Sequence, residues 1–366
     1  MRAAALCMAA LAAVGCGGNG GEHAVTLTLY CAAGVKPPVE QAAAQYADEY
    51  GVKIYLQYGG SGTLLSNLQI AQKGDLYLAA DESYLELAAE KNLADEAIRL
   101  ARLSPVIAVP EGNPKGVQSL DDLERSDLRV VLANPEAAAI GRLMRDGLKE
   151  SGRWERLQKA ATTMFPTVTE IANALRIGSA DAGVIWDATA NQYPQLETVA
   201  DPELEPLKNR ISIGVLSFSE RPTEALRFAR YLSARGKGLP HFTQHGYAAV
   251  EGDVWAEEPH LRVYCEPALR RMIEEGVRAF ELREGTSVLF EEAEDGAPPD
   301  LDAYISRDAA HLRTGEARPL AADEEAQIQC AVNEQADYPR LTERMIQSLR
   351  AALESRGYEW RFERNG

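Results

Sequence analysis

Between residues 25 and 108 the chain alternates short apolar runs with stretches of helical period, and that alternation constrains the fold more than any other feature. The runs at 26–30, 53–58 and 76–80 have strand length, and the segments 38–50 and 63–72 between them have helix length. Strands apolar on both faces need cover on both, and neighbours joined through a helix run parallel. The pattern therefore predicts an α/β fold with helices on each side of a parallel sheet. Val109-Pro110-Glu111-Gly112-Asn113-Pro114 then breaks the alternation. A second unit follows, with strands at 130–132 and 182–186 and a helix at 141–148, before 211–216 leads into a helix at 223–233. Two such units joined by two crossings predict two lobes, 25–108 with 209–253 and 109–208, and a ligand cleft between them.

Tyr58-Gly59-Gly60-Ser61-Gly62-Thr63-Leu64-Leu65 closes one apolar run and opens a helix. Gly60 and Gly62 let backbone amides turn inward, Ser61 adds a hydroxyl, and a helix expected to start near Thr63 aims its positive end at the same place. Ala32-Ala33-Gly34 forms a second strand-to-helix turn on a neighbouring strand, so both turns can face one ligand. Together they describe an anion pocket built without charge. Asp81, after the third run, is expected to cap the helix that follows it.

Arg2 precedes an apolar run, residues 3–15, that is too short to span a bilayer and reads as a secretory signal. Ala13-Val14-Gly15-Cys16 resembles the lipobox of bacterial lipoproteins, with Ala13 where leucine is usual. Cys16 is then the lipidated residue, and 16–24 a flexible tether rich in glycine. The expected location is the periplasm, anchored to a membrane. The formal charge is −17, and 37 basic against 55 acidic residues remain once Arg2 leaves with the signal. So acidic a body argues against nucleic acid, whose binding rests on neutralising phosphates, and leaves any anion to be held by local dipoles. Cys31 reads as a buried thiol, and a Cys265–Cys330 bridge stays open.

Taken in order, Leu29-Tyr30-Cys31-Ala32-Ala33-Gly34-Val35, Gly59-Gly60-Ser61-Gly62, Gly74-Asp75-Leu76-Tyr77-Leu78-Ala79-Ala80-Asp81, Asn134-Pro135-Glu136 and Gly178-Ser179-Ala180-Asp181-Ala182-Gly183-Val184-Ile185-Trp186 resemble one family. It is the molybdate-binding type of periplasmic solute-binding protein, and the resemblance spans about residues 25 to 250. It implies a two-lobed periplasmic binding protein fold that closes on a tetrahedral oxyanion, molybdate or tungstate, and hands it to the permease of an ABC importer. In that family two serines, second-lobe amides and a tyrosine hydroxyl surround the ion. Ser61 matches the second serine, the amide near Ile140 one second-lobe donor, and Thr169 to Ile171 the other, more loosely. The first serine is Gly34 here and the tyrosine is Trp186. The site thus loses hydroxyls, and with them some power to discriminate between ions. Asp187, next to Trp186, either faces the cleft or caps the following helix.

An enzyme needs a nucleophile with its base, or a metal site. His241 and His245 stand four apart, but no Glu lies between them and Gly238-Leu239-Pro240 interrupts the segment; no serine has a nucleophile-elbow pattern and no glycine loop carries a P-loop lysine. The expectation is a binder with no cofactor and no metal. Its rival is a lipoprotein of the same fold that has lost its solute and serves as a partner-binding or structural module.

Residues 254–366 exceed what such a binder needs. Leu261 to Cys265, Ile273, Phe280, Gly285 and Val288 to Phe290 repeat Leu27 to Cys31, Val39, Tyr46, Gly51 and Ile54 to Leu56 at an offset of 234, whereas 300–306 resembles 75–81 at an offset near 225. About nine residues around the anion loop are then missing. A strand at 328–332, a helix at 341–355 and a strand at 358–362 complete the expected domain: a degenerate half-copy of the first lobe's start, without an oxyanion site of its own.

Overall fold

The computed structural model describes residues 25–292, 300–313, 315–322 and 327–358. The signal, Cys16 with its tether, and the expected last strand past Tyr358 lie outside them. Sixteen strands form three sheets among the described residues. The chain begins with β1 (Thr26–Ala32), β2 (Lys53–Gly59), β3 (Leu76–Ala79) and β4 (Ile98–Leu103), then leaves to build β5 (Pro105–Pro110), β6 (Val130–Ala133), β7 (Ala161–Phe165), β8 (Ala182–Trp186) and β9 (Leu196–Val199). It returns as β10 (Asn209–Val215) and β11 (Ala248–Ala249). The first sheet has the order β11-β4-β10-β3-β1-β2 and the second β7-β6-β8-β5-β9. The fold is the two-lobed α/β arrangement of periplasmic binding proteins.

Local chemistry explains the elements. The helix Lys36–Tyr50 carries proline in its first turn, where no amide is needed, buries Val39, Ala42, Ala43 and Tyr46 on one stripe, and ends at Gly51, whose φ is 68°. Two expectations shift. β5 pairs antiparallel with β8 and β9, so the boundary expected after residue 108 moves to Ser104. An apolar strand announces that it is buried, not which sheet buries it. The helix expected near Thr63 starts at Ser61, with Gly60 extended as its N-cap.

The third sheet follows with β12 (His260–Cys265), β13 (Ser287–Glu291), β14 (Ala303–Ser306), β15 (Arg318–Ala322) and β16 (Gln327–Val332). Its order, β13-β12-β14-β16-β15, reproduces β2-β1-β3-β10-β4 strand for strand, with the same parallel and antiparallel pairings. Leu29 stands opposite Leu56 and Leu76, and Val263 opposite Phe290 and Ala303. The offset is therefore 234 for the first two strands and 227 for the third. Seven residues are missing rather than nine, and Asp302, not Asp300, takes the place of Asp75. The side chains agree: Asp75 Oδ2 accepts the Thr28 amide at 2.8 Å and Asp302 Oδ2 accepts the Arg262 amide at 2.7 Å. A break in register recurs too, in equivalent strands: β4 skips Leu100 against Ile211 and Ser212 of β10, and β15 skips Leu320 against Ile328 and Gln329 of β16. The copy thus extends past the start of the first lobe to its whole sheet except β11. The difference is the second lobe, inserted as residues 104–208 between β4 and β10, where β15 and β16 are joined by residues 323–326.

The copy docks on the first lobe through ions. Glu284 Oε1 accepts from Arg344 Nε at 2.8 Å and its Oε2 lies 3.2 Å from Arg230 Nη1; Glu284 and Arg230 are both buried. Burial pushes the Glu284 carboxyl up, but Arg344 and Arg230 outweigh it and hold the group below its ordinary value. Arg283 reaches Glu96 at 2.6 Å, and Asp253 caps the helix Pro339–Ser355 by accepting the Arg340 and Leu341 amides. Cys31, Cys265 and Cys330 are free and buried. Cys265 and Cys330 both face Ile305 from opposite sides of β14, which puts them about 9–10 Å apart, too far for a disulfide.

Candidate functional site

Gly34 follows β1, Gly60 and Ser61 follow β2, and Ala80 follows β3, so the ends of three adjacent strands meet at one point of the first lobe. The second lobe brings two helix starts to the same point. The helix Ala139–Leu148 begins after an extended Ala138, and Val168–Arg176 begins after Thr167. Between them lies a cavity of about 20 Å³ lined by Ala32 to Gly34, Gly59 to Ser61, Ala80, Ala138 to Ile140, Thr167, Val168 and Trp186. No lining residue is charged. First-turn amides have no intrahelical acceptor, so three helix N-termini and a serine hydroxyl offer neutral donors to one small volume.

Each expected residue can now be placed. Ser61 is buried; its Oγ accepts the Ala80 amide at 3.2 Å, which leaves its own proton free to donate. Tyr77 Oη holds the Ser61 carbonyl at 2.7 Å. Gly34, Gly60, Ile140 and Trp186 line the cavity; Gly62 and Thr169 do not. The Gly62 amide is taken by the Ala137 carbonyl of the second lobe at 2.9 Å, with Thr63 donating to the same oxygen at 3.3 Å. In place of Thr169 to Ile171, the residues of this turn that line the cavity are Thr167 and Val168. Thr167 is the N-cap: its Oγ1 accepts the Glu170 amide at 3.2 Å and donates to Glu170 Oε2 at 2.7 Å. Thr167-Val168-Thr169-Glu170 has the sequence pattern of a capping box, with Glu170 Oε2 taking the Thr167 hydroxyl in place of its amide. Asp187 lies outside the cavity wall, at the first position of the helix Asp187–Ala190 that Trp186 precedes, and its Oδ1 accepts the Ala188 amide at 2.7 Å; burial raises its carboxyl despite three backbone hydrogen bonds. Asp81 caps, accepting the Ser83 amide at 2.8 Å.

The glycines set how closely the lobes approach. A Cβ on Gly60 would lie 2.3 Å from both the Ala137 and Pro166 carbonyl oxygens, and one on Gly34 would lie 2.8 Å from Val168 Cγ2. Tyr247 Oη donates to the Gly34 carbonyl, and Gln192 Nε2 of the second lobe reaches Tyr247 Oη at 3.0 Å. The lobes are closed: the remaining cavity has room for about one water molecule.

A much larger groove, about 1070 Å³, separates the first lobe from the copy. Several of its charged groups pair across it or along its wall, as in Arg99 with Glu82 at 2.7 Å and Arg283 with Glu96 at 2.6 Å. It is a solvated seam with no converging donor set. Among the described residues no group of three or more His, Cys, Asp or Glu is placed to hold a metal, and His241 Nε2 bonds Gln45 at 2.9 Å. No helix among them is long and apolar enough to cross a membrane.

Residues 27–248 match a family model described as bacterial extracellular solute-binding protein. A binding protein of Haemophilus influenzae is 29% identical over 226 residues, 62% of this chain and 91% of that protein. The molybdate-binding protein ModA of Mycobacterium tuberculosis is 26% identical over 230 residues, covering 62% of this chain and 86% of its own. The periplasmic molybdate-binding protein of Azotobacter vinelandii superposes with a TM-score of 0.52 at 18% identity, over 62% of this chain and 100% of the other. The sulfate-binding protein SubI of Mycobacterium tuberculosis does so with 0.54 at 15%, over 73% and 94%. At these identities the solved structures speak for the fold alone, whereas the family model covers more than half of the sequence: this chain belongs to the bacterial extracellular solute-binding protein family.

Proposed function

We propose that the protein is a periplasmic lipoprotein, anchored through Cys16, that captures a tetrahedral oxyanion such as molybdate or tungstate and delivers it to the permease of an ABC importer. The observation that carries this reading is the uncharged cavity on which Ser61 and three helix starts converge. A dianion there is held by dipoles and hydrogen bonds, which recognise geometry and protonation state rather than charge alone. The ion enters with the lobes parted, the Ala137 carbonyl releasing the Gly62 and Thr63 amides. A thermal-shift series with molybdate, tungstate, sulfate and phosphate tests it: ligand at 100 times its dissociation constant adds about 2.7 kcal/mol to stability. Ser61→Ala is expected to weaken the best ion by about 1–3 kcal/mol, since an oxygen is left unpaired in a dry site; unchanged affinity would remove Ser61 from the site.

One observation favours a second reading, a module of the same fold that has lost its solute. The closed cavity is small and Gly34 brings no hydroxyl to it. Its mark is a purified protein that no ion in the series stabilises.

A further inference from the structure

Thr189 is 1% exposed and its Oγ1 has no hydrogen-bond partner in the protein. It sits in the short helix Asp187–Ala190 that follows Trp186. A threonine in a helix commonly satisfies its hydroxyl on the carbonyl a turn back, and a buried hydroxyl left unpaired is destabilising. This one is unpaired and close to the cavity. A Cβ built on Gly34 would lie 3.4 Å from Thr189 Oγ1, 2.8 Å from Val168 Cγ2 and 3.6 Å from Trp186 Cδ1. The three second-lobe atoms nearest to that position are therefore a methyl, a free hydroxyl that lies just behind the cavity lining, and the indole carbon next to Nε1. A side chain at position 34 could not supply a donor in this setting, because the Val168 methyl occupies its space.

We infer that Thr189 donates its hydroxyl to the bound oxyanion when an ion separates Gly34 from the second lobe, and that it replaces the donor absent at Gly34. This rests on the oxyanion reading given above. The chemistry suits it: the hydroxyl rotates freely, has no competing acceptor, and is already desolvated, so little reorganisation accompanies the new bond. With Trp186 Nε1 beside it, the second lobe offers two side-chain donors where Gly34 offers none.

The test compares Thr189→Val and Thr189→Ser in the full chain, by calorimetric titration with molybdate, tungstate, sulfate and phosphate and by melting of the ligand-free protein. For the ion that wild type binds, Thr189→Val is expected to weaken affinity about five- to ten-fold and Thr189→Ser by less than about two-fold. Ligand-free Thr189→Val should melt no lower than wild type, because a methyl of similar shape replaces an unpaired hydroxyl. Wild-type affinity in Thr189→Val overturns the inference and leaves the oxyanion reading standing. Weakened binding together with a lower melting temperature also overturns it, since that marks a packing role. A wild type that binds none of the four ions overturns both.

Discussion

The first lobe and the C-terminal domain are the same sheet put to two uses. At the end of β1 the first lobe has Ala32-Ala33-Gly34, a short turn before its helix; at the matching place the copy has Glu266-Pro267-Ala268, where the helix runs straight on. In the first lobe Ser61 Oγ accepts the Ala80 amide. In the copy the serine loop is gone, and Glu266 Oε2 accepts the Arg307 amide and the Ser306 hydroxyl, each at 2.9 Å. Arg307 holds the position of Ala80 at the offset of 227. The copy thus sets a built-in carboxylate on the amide that in the first lobe donates to the Ser61 hydroxyl. A sheet of this topology gathers donors at its strand ends whatever its sequence does next. Whether they bind a solute or an internal acid turns on a few residues in two loops.

The comparison is tested hardest at position 284, equivalent to Tyr50 in the first lobe. Glu284→Ala leaves the buried Arg230 facing Arg344 and is expected to destabilise the full chain by about 3–5 kcal/mol in denaturant melts. Tyr50→Phe removes only the oxygen that accepts Trp255 Nε1 at 2.8 Å, for about 0.5–1.5 kcal/mol. Similar losses would mean that the ionic seam does not hold the domains together. Next come the paired aspartates. Asp75→Ala and Asp302→Ala should each cost about 1–3 kcal/mol, because each strips an acceptor from an equivalent strand amide. If hydrogen exchange shows loosening around Asp75 and none around Asp302, the two sheets are not held by one rule.

Acid should separate the two sheets more gently. Burial pushes the Glu266 carboxyl up, but the Arg307 amide, the Ser306 hydroxyl and the Arg307 guanidinium bring it below its ordinary value of 4.5. A depressed carboxyl contributes stability that is present above pH 4.5 and is lost as pH falls through the folded value. The copy should therefore loosen as pH falls below about 4.5, and Glu266→Gln should flatten that dependence, read as domain-resolved hydrogen exchange. The smallest effect is expected from ending the chain at Asp253: ion affinity should stay within about two-fold, since the copy shares no partner with the cavity. A larger loss would give the copy a part in binding.

How far these features were legible depended on what each is made of. Strands and helices announced themselves because apolar period follows burial, and the offset of 234 survives in β12 and β13 because core positions resist change. Asp300 and Asp302 look alike in sequence, and only the strand register and the hydrogen bond from the Arg262 amide tell which of them matches Asp75. The site was legible at Ser61 and Gly34, where loop composition states the need for backbone donors. It was not legible at Thr189, whose significance is the lack of a partner, nor at Glu284, whose two arginines come from residues 54 before it and 60 after it. Both are facts of tertiary packing with no local signature.

The insertion between β4 and β10 also dictates an order of assembly. Leu103 pairs with Asn209, so the first sheet cannot close until a loop of about a hundred residues is tied off, whereas Ala322 pairs with Gln327 across a hairpin. Loop-closure entropy disfavours the longer loop by about 2–3 kcal/mol if it is slack. Folding the second lobe first brings its two ends together and removes most of that penalty. A chain emerging from its N-terminus would thus build its second lobe, then seal the first around it, while the copy, rich in near-neighbour pairings, completes itself quickly at the end.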